Sequence, residues 1–252
     1  MKERINKYIT ELEKEKGIEV LLACETGSRA WGFPSPDSDY DVRIIYKHNT
    51  EWYLSLTEEK DTIEVFYDNN DIDISGWDLR KSLRLIWKSN AALIERIQSP
   101  IIYKKNSEFV DGINLIAQKT YSRIGTIHHY LSMAKKKLSE VEESQDYKLK
   151  TFFYALRASV ACLWILEKEI MPPIEFGTML NELDIDEKLK SRIKELIELK
   201  STISESYMHK DEHDLILFMK SCIERADVEA KTLPASNAEM NELNEFFRQI
   251  IR

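Results

Sequence analysis

Apolar residues Ile5, Tyr8, Ile9 and Leu12 recur at helical spacing among charges, which predicts an amphipathic N-terminal helix ended by Gly17. The run IEVLLACE, residues 18–25, is short, aliphatic and β-branched, and a glycine stands on either side of it; this pattern predicts a buried strand. DVRIIYK, residues 41–47, then alternates, with Val42, Ile44 and Tyr46 on one side and Asp41, Arg43 and Ile45 on the other, so a second strand begins at the aspartates. TIEVFYD and DIDISGWD are two further alternating runs joined across Asn69 and Asn70, a clear hairpin signal.

After Trp77 the period changes. Leu79, Leu83, Ile86 and Trp87 form one helical face, and Ala92, Leu93 and Ile97 continue in a short helix ended by Pro100. From about residue 108 onward the pattern is helical only. Ile113, Ile116, Ala117, Ile124, Ile127, Leu131 and Leu138 space one long segment, and Leu189, Ile193, Leu196 and Ile197 space another. FFYALRASVACLWILEK, residues 152–168, is apolar nearly all round and reads as the central helix of this part. The expectation is an α+β chain: a small mixed-sheet domain over residues 1–107 and an all-helical domain over residues 108–252, with no internal repeat and no low-complexity linker.

Composition narrows the class. With 43% hydrophobic and 32% charged residues the chain is neither disordered nor membrane-embedded by composition. A net charge of -8 disfavours indiscriminate adhesion to nucleic acid or anionic lipid, though a local basic groove remains compatible with it. Cys24, Cys162 and Cys222 are isolated and odd in number, suggesting neither disulfides nor a zinc site and fitting small core residues in a reducing compartment. The first residues lack the apolar stretch of a signal peptide, and no apolar run nears the roughly 18 residues needed to span a bilayer. The expected location is the cytoplasm, away from membranes.

The chemistry gathers in ETGSRAWGFPSPDSDYD, residues 25–41. On a strand, residues two apart face the same side, so Asp39 and Asp41 present paired carboxylates about 7 Å apart at Cα. Magnesium favours a few carboxylates, waters and substrate phosphates, and a third carboxylate from a neighbouring strand would complete a two-metal site. Gly27 lets backbone N–H groups approach a phosphate, Ser28 can donate to its oxygens, and Arg29 either adds charge to a triphosphate tail or pairs with Asp37 or Asp39. The bland alternative is a solvated acidic turn. A calcium loop fails, because Val42 stands where its glycine belongs and His48 where its glutamate belongs; a loop starting at Asp71 puts Ser82 in the last place. No Gly-Lys-Ser/Thr sequence follows the first strand, which excludes a P-loop.

The order strand, Gly27-Ser28, ten residues, then Asp39-x-Asp41 opening the next strand resembles the signature of the DNA polymerase beta-like nucleotidyltransferases, in its extended form that of bacterial and phage members, some linked to RNA repair. The resemblance implies a palm-like sheet, a third carboxylate from a later strand, two Mg2+ ions, and transfer of a nucleoside monophosphate from an NTP, expected to be ATP, to an acceptor hydroxyl. The third carboxylate falls to the DIDISGWD run: Asp73 is favoured over Asp71, with Glu64 on the partner strand as a further candidate. Asp39, Asp41 and Asp73 are thus the expected catalytic and metal-binding residues, with Asp73 at the acceptor side.

Outside the signature, Trp31 and Phe33 either stack on a base or pack as core, the latter preferred. Lys150, Tyr154 and Arg157 share a helical face that reaches either nucleotide or acceptor, or else holds a structural ion pair. The resemblance continues faintly through this run and through Pro172, Pro173 and Phe176. Arg123 and His128 match the R-x-x-x-x-H spacing of a helical ribonuclease family, although Ile124 replaces its usual polar residue. Lys135 to Lys137 read as a solvated face. Two further readings stand beside the transferase: a non-catalytic nucleotide- or RNA-binding module of a defence or toxin-antitoxin pair, and a ribonuclease. The acceptor is left open among an RNA 3′ end, a protein hydroxyl and a small molecule.

Overall fold

A computed structural model describes residues 1–143, 145–234 and 240–252. By contacts the chain divides into two compact units. The first holds Met1–Ala30, Asp39–Tyr121 and the C-terminal helix. Its elements run α1 (Lys2–Lys16), β1 (Glu19–Glu25), α2 (Gly27–Trp31), β2 (Tyr40–Lys47), α3 (Thr50–Tyr53), β3 (Thr62–Tyr67), β4 (Ile72–Asp78), α4 (Leu79–Trp87), α5 (Ala91–Gln98), β5 (Ile102–Lys105) and α6 (Ser107–Thr120). Gly17 closes α1 in the left-handed conformation with φ 61°, as its position after the last apolar residue predicts.

The strands form one mixed sheet in the order β3-β4-β2-β1-β5. The predicted hairpin is present: β3 and β4 are antiparallel, joined by a 3-10 turn at Asp68–Asn70 in which Asn69 has φ 56°. β4 lies parallel to β2, which sets Asp73 directly opposite Asp41. One face of the sheet is the core: Val20, Val42, Ile44, Tyr46, Ile72 and Ile74 pack with Ile5, Ile9 and Leu12 of α1. Period-two alternation therefore sends Asp41, Arg43, Asp73, Ser75 and Trp77 to the other face. The fold is α+β, as the sequence predicts.

The structure departs from the sequence reading in three local places. β5, whose Ile-Tyr-Lys-Lys run is too short and too polar to read as a strand, adds an antiparallel edge beside β1. The helical pattern from Ile113 to Leu138 is two helices, because Ser122 caps the second one through the Gly125 N–H. Two-residue strands also occur in the helical part. Asp39 precedes β2 by one residue, a difference at the margin of strand definition.

The second unit comprises Trp31–Ser38 with α7 (Arg123–Glu142), β6 (Tyr147–Lys148), α8 (Leu149–Lys168), α9 (Phe176–Glu182), α10 (Glu187–Lys200), β7 (Met208–His209) and α11 (His213–Glu229). α8 is its centre, buried along almost its whole length. Contrary to the expectation that no apolar run nears bilayer length, it is also, among the described residues, the one helix long and apolar enough to cross a membrane, and 83% of that apolar window is buried inside the protein. Trp31 and Phe33 pack on it as core: Phe33 stacks on Phe153 at 4.8 Å and meets Phe176 edge-on, while Trp31 meets Tyr154 edge-on at 4.9 Å. A last helix, α12 (Met240–Ile251), returns to the first unit, where Phe246 stacks on Phe109.

Candidate active site

The second face of the sheet brings together what the sequence separates. Asp41 and Asp73 face each other across the parallel β2–β4 pair, and Arg43, two residues along β2 and on the same face, bridges them. One guanidinium nitrogen lies 2.6 Å from Asp41 Oδ1 and the other 2.9 Å from Asp73 Oδ2. Asp73 Oδ1 is buried and has no hydrogen-bond partner among the described residues. Asp71 belongs to the hairpin turn, where its backbone carbonyl accepts the Tyr40 N–H. Glu64 lies opposite Ser75 on β3, exposed and one strand further from Asp41.

The turn after β1 is stitched to the same aspartate. The Thr26 N–H donates to the Asp41 carbonyl at 2.9 Å. Gly27 has φ +66°, and a Cβ built on it would sit 2.3 Å from Asp41 Oδ2. A side chain is thus excluded twice, by the left-handed backbone and by the carboxylate. Ser28 follows, buried at the start of α2. Arg29 lies 3.9 Å above the Tyr40 ring and donates from Nε to the Asp39 carbonyl, so it grips the backbone just ahead of β2. Asp39 itself is exposed.

Besides Arg43, three residues at or beside this face were not singled out from the sequence. Glu25 at the end of β1 is fully buried, accepts the Asp41 N–H at 2.8 Å and takes the Tyr103 hydroxyl. Burial raises its pKa, against the Tyr103 and Asp41 hydrogen bonds that oppose the shift. Arg96 on α5 is buried with its guanidinium 3.4 Å from the Trp77 ring centre, and burial lowers its pKa to about 9. Phe66, the cross-strand partner of Asp73, is half exposed on the same face. The one available signal was Phe66: an aromatic at a solvent-facing place in an alternating strand.

Lys150, Tyr154 and Arg157 lie in the second unit. The Lys150 ammonium pairs with Glu205 at 2.5 Å. Arg157 is only 2% exposed, stacks 4.5 Å from the Trp31 ring and donates to the Ile174 carbonyl. Asp37 is a loop residue there, accepting the Glu205 N–H. Arg123 pairs with Glu169, and His128 is exposed. Lys135 and Lys137 pair with Asp227 and Glu140, a solvated helix face as expected.

Comparison with known proteins places the chain in a family. The profile of the family described as "RNA repair pathway DNA polymerase beta" matches residues 1–249. The chain belongs to this RNA repair pathway DNA polymerase beta family. Within reach of it, the uncharacterized protein YcgL of Bacillus subtilis is 38% identical over 245 residues, covering 97% of this chain and 94% of that one. The uncharacterized protein MJ0002 of Methanocaldococcus jannaschii is 28% identical over 214 residues, covering 74% and 84%. A crystal structure of a nucleotidyltransferase-like protein from Exiguobacterium sibiricum overlaps 98% of this chain and 81% of its own at 10% identity, with a TM-score of 0.33, too distant a likeness to bear on the site.

Oxygen donors in this polymerase beta family member suit a hard divalent ion, and the orphaned Oδ1 of Asp73 is a buried donor of that kind. Among the described residues, however, no three His, Cys, Asp or Glu side chains stand clustered as a ready-made metal site. The cation that stands between Asp41 and Asp73 is Arg43.

Proposed function

We propose that this protein is a magnesium-dependent nucleotidyltransferase that moves a nucleoside monophosphate from an NTP, ATP by preference, to an acceptor hydroxyl. The observation that carries the reading is the register of β2 on β4, which sets Asp41 beside Asp73 with Gly27 of the G-S turn pressed against the Asp41 carboxylate. Asp39, Asp41 and Asp73 would hold the metal ions. Bound there, magnesium would neutralise phosphate charge and lower the pKa of the acceptor hydroxyl.

The chain's own residues do the rest. Gly27 and Ser28, with Arg29, receive the triphosphate. Asp73 sits at the acceptor side and takes the hydroxyl proton as the acceptor oxygen bonds to the α-phosphorus and the α–β phosphoanhydride breaks, releasing pyrophosphate. Phe66 offers the acceptor side an exposed aromatic surface. On the helical unit, Lys150 and Tyr154 are the half-buried candidates for nucleotide contact, whereas Arg157 is buried against Trp31 and bonded to the Ile174 carbonyl.

The test is transfer of label from nucleoside triphosphates to tRNA-sized RNA, protein and small-molecule acceptors, with pyrophosphate measured in parallel. Label transfer should need magnesium and fall at least about a thousandfold in Asp41→Asn and Asp73→Asn, as loss of a charge-stabilising group at a reacting centre implies. Asp71→Asn and Glu64→Gln should stay within a few fold of wild type. Full activity in Asp41→Asn would sink the assignment.

A further inference from the structure

Arg43 holds two carboxylates that the proposed reaction needs, and it takes no part in the transfer itself. Its guanidinium reaches Asp41 with one nitrogen and Asp73 with the other, and the second nitrogen also donates to the backbone carbonyls of Val42 and Asp73, both at 3.2 Å. Two carboxylates opposite one another on adjacent strands, about 5 Å apart at the backbone, repel strongly when no cation lies between them. A divalent ion and a guanidinium therefore compete for the same place.

We infer that Arg43 is a positioning residue and a resident counter-cation: it keeps Asp41 and Asp73 apposed and yields their oxygens when a metal ion arrives with the triphosphate. Resting on the metal-dependent reading above, this adds a coupling to it. The Val42 and Asp73 carbonyls give the guanidinium partners to keep after the carboxylates are released, so the swing strands no buried charge. The cost of displacing Arg43 from the two carboxylates weakens metal binding in the free protein. The phosphates of the nucleotide, which bring negative charge of their own, restore it. Metal and nucleotide binding thereby become mutually dependent, and each ligand raises the affinity of the other by the same factor.

The experiment is Mn2+ binding by electron paramagnetic resonance on the intact protein, with and without a non-hydrolysable ATP analogue, for wild type, Arg43→Met and Arg43→Lys. In the absence of nucleotide Arg43→Met should bind Mn2+ at least about tenfold more tightly than wild type, the factor that 1.4 kcal/mol represents. The analogue should tighten Mn2+ binding markedly in wild type and little in Arg43→Met, with Arg43→Lys closer to wild type. In wild type, needing no variant to fold, the Arg43 side-chain N–H resonance should shift on Mg2+ addition with the analogue present. Equal or weaker Mn2+ binding by a folded Arg43→Met, or an Arg43 resonance blind to Mg2+ while wild type binds metal, would overturn the inference and leave the metal reading standing. Absence of Mn2+ binding in every protein, analogue included, would overturn both.

Discussion

At the scale of single residues the site depends on what touches Asp41. Gly27 is there because a Cβ would overlap Oδ2 of that carboxylate at 2.3 Å and because φ is +66°. Gly27→Ala should therefore cost about 1–3 kcal/mol in chemical unfolding and lower transfer activity far more than that loss explains, because it displaces a reacting group. An unchanged variant would mean that the turn does not press on Asp41. Glu25 makes a different kind of contact, holding the Asp41 N–H from the buried end of β1. Its folded-state pKa is raised above 4.5, chiefly by burial, so the folded protein keeps that proton more tightly than the unfolded chain. Its stabilisation is complete below the ordinary titration of the carboxyl and is lost as pH rises through the raised value. Denaturation series from pH 4 to 8 should show this decline in wild type and a flatter profile in Glu25→Gln, whose amide oxygen still accepts the Asp41 N–H. The aspartates and the Gly-Ser pair were legible because their spacing is a local property of the chain. Glu25 and Arg43 were not, because Glu25 meets Asp41 and Tyr103, and Arg43 meets Asp73, on neighbouring strands that only register brings alongside.

At the scale of elements, alternation read β2, β3 and β4 correctly, since one face of each is core and the other polar. Alternation does not state which strands pair, and the site hangs on the one parallel pairing, β2 with β4, that a hairpin reading leaves open. β5 escaped for a plainer reason: an edge strand of four residues, with half-buried and exposed side chains, has little hydrophobic signal to give. The docking of α12 was equally invisible. It depends on Gly112 of α6, where a Cβ would stand 2.3 Å from Phe246, and nothing near Gly112 in sequence announces an aromatic ring more than a hundred residues away. Phe246→Ala should cost about 3 kcal/mol by urea denaturation, as removal of a large buried ring generally does. A change below about 0.5 kcal/mol would show that α12 contributes no packing to its unit.

At the scale of the whole molecule, chain order and compact unit part company. The composition shift near residue 100 marks where the five-stranded sheet gives way to helices, yet the segment Trp31–Ser38, flanked on both sides by the sheet unit, packs within the helical one. Its hold there is extensive. Phe33 and Trp31 fill the face of α8 around Phe153 and Tyr154, and Lys200, itself buried, donates to Ser35 at 2.8 Å. Ser38 donates to Glu205, the same carboxylate that takes the Lys150 ammonium. A helical fragment begun at Ser122 therefore lacks part of its own core, including a ring that is only 1% exposed in the intact protein. Such a fragment should keep far-UV helical circular dichroism, lose near-UV signal and bind a hydrophobic dye, the marks of secondary structure without fixed packing. Joining residues 31–38 to its N-terminus through a flexible Gly-Ser linker should restore cooperative unfolding and abolish dye binding. If the short fragment already unfolds cooperatively and ignores the dye, the loop is an ornament on a self-sufficient bundle, and Trp31 and Phe33 are dispensable to it.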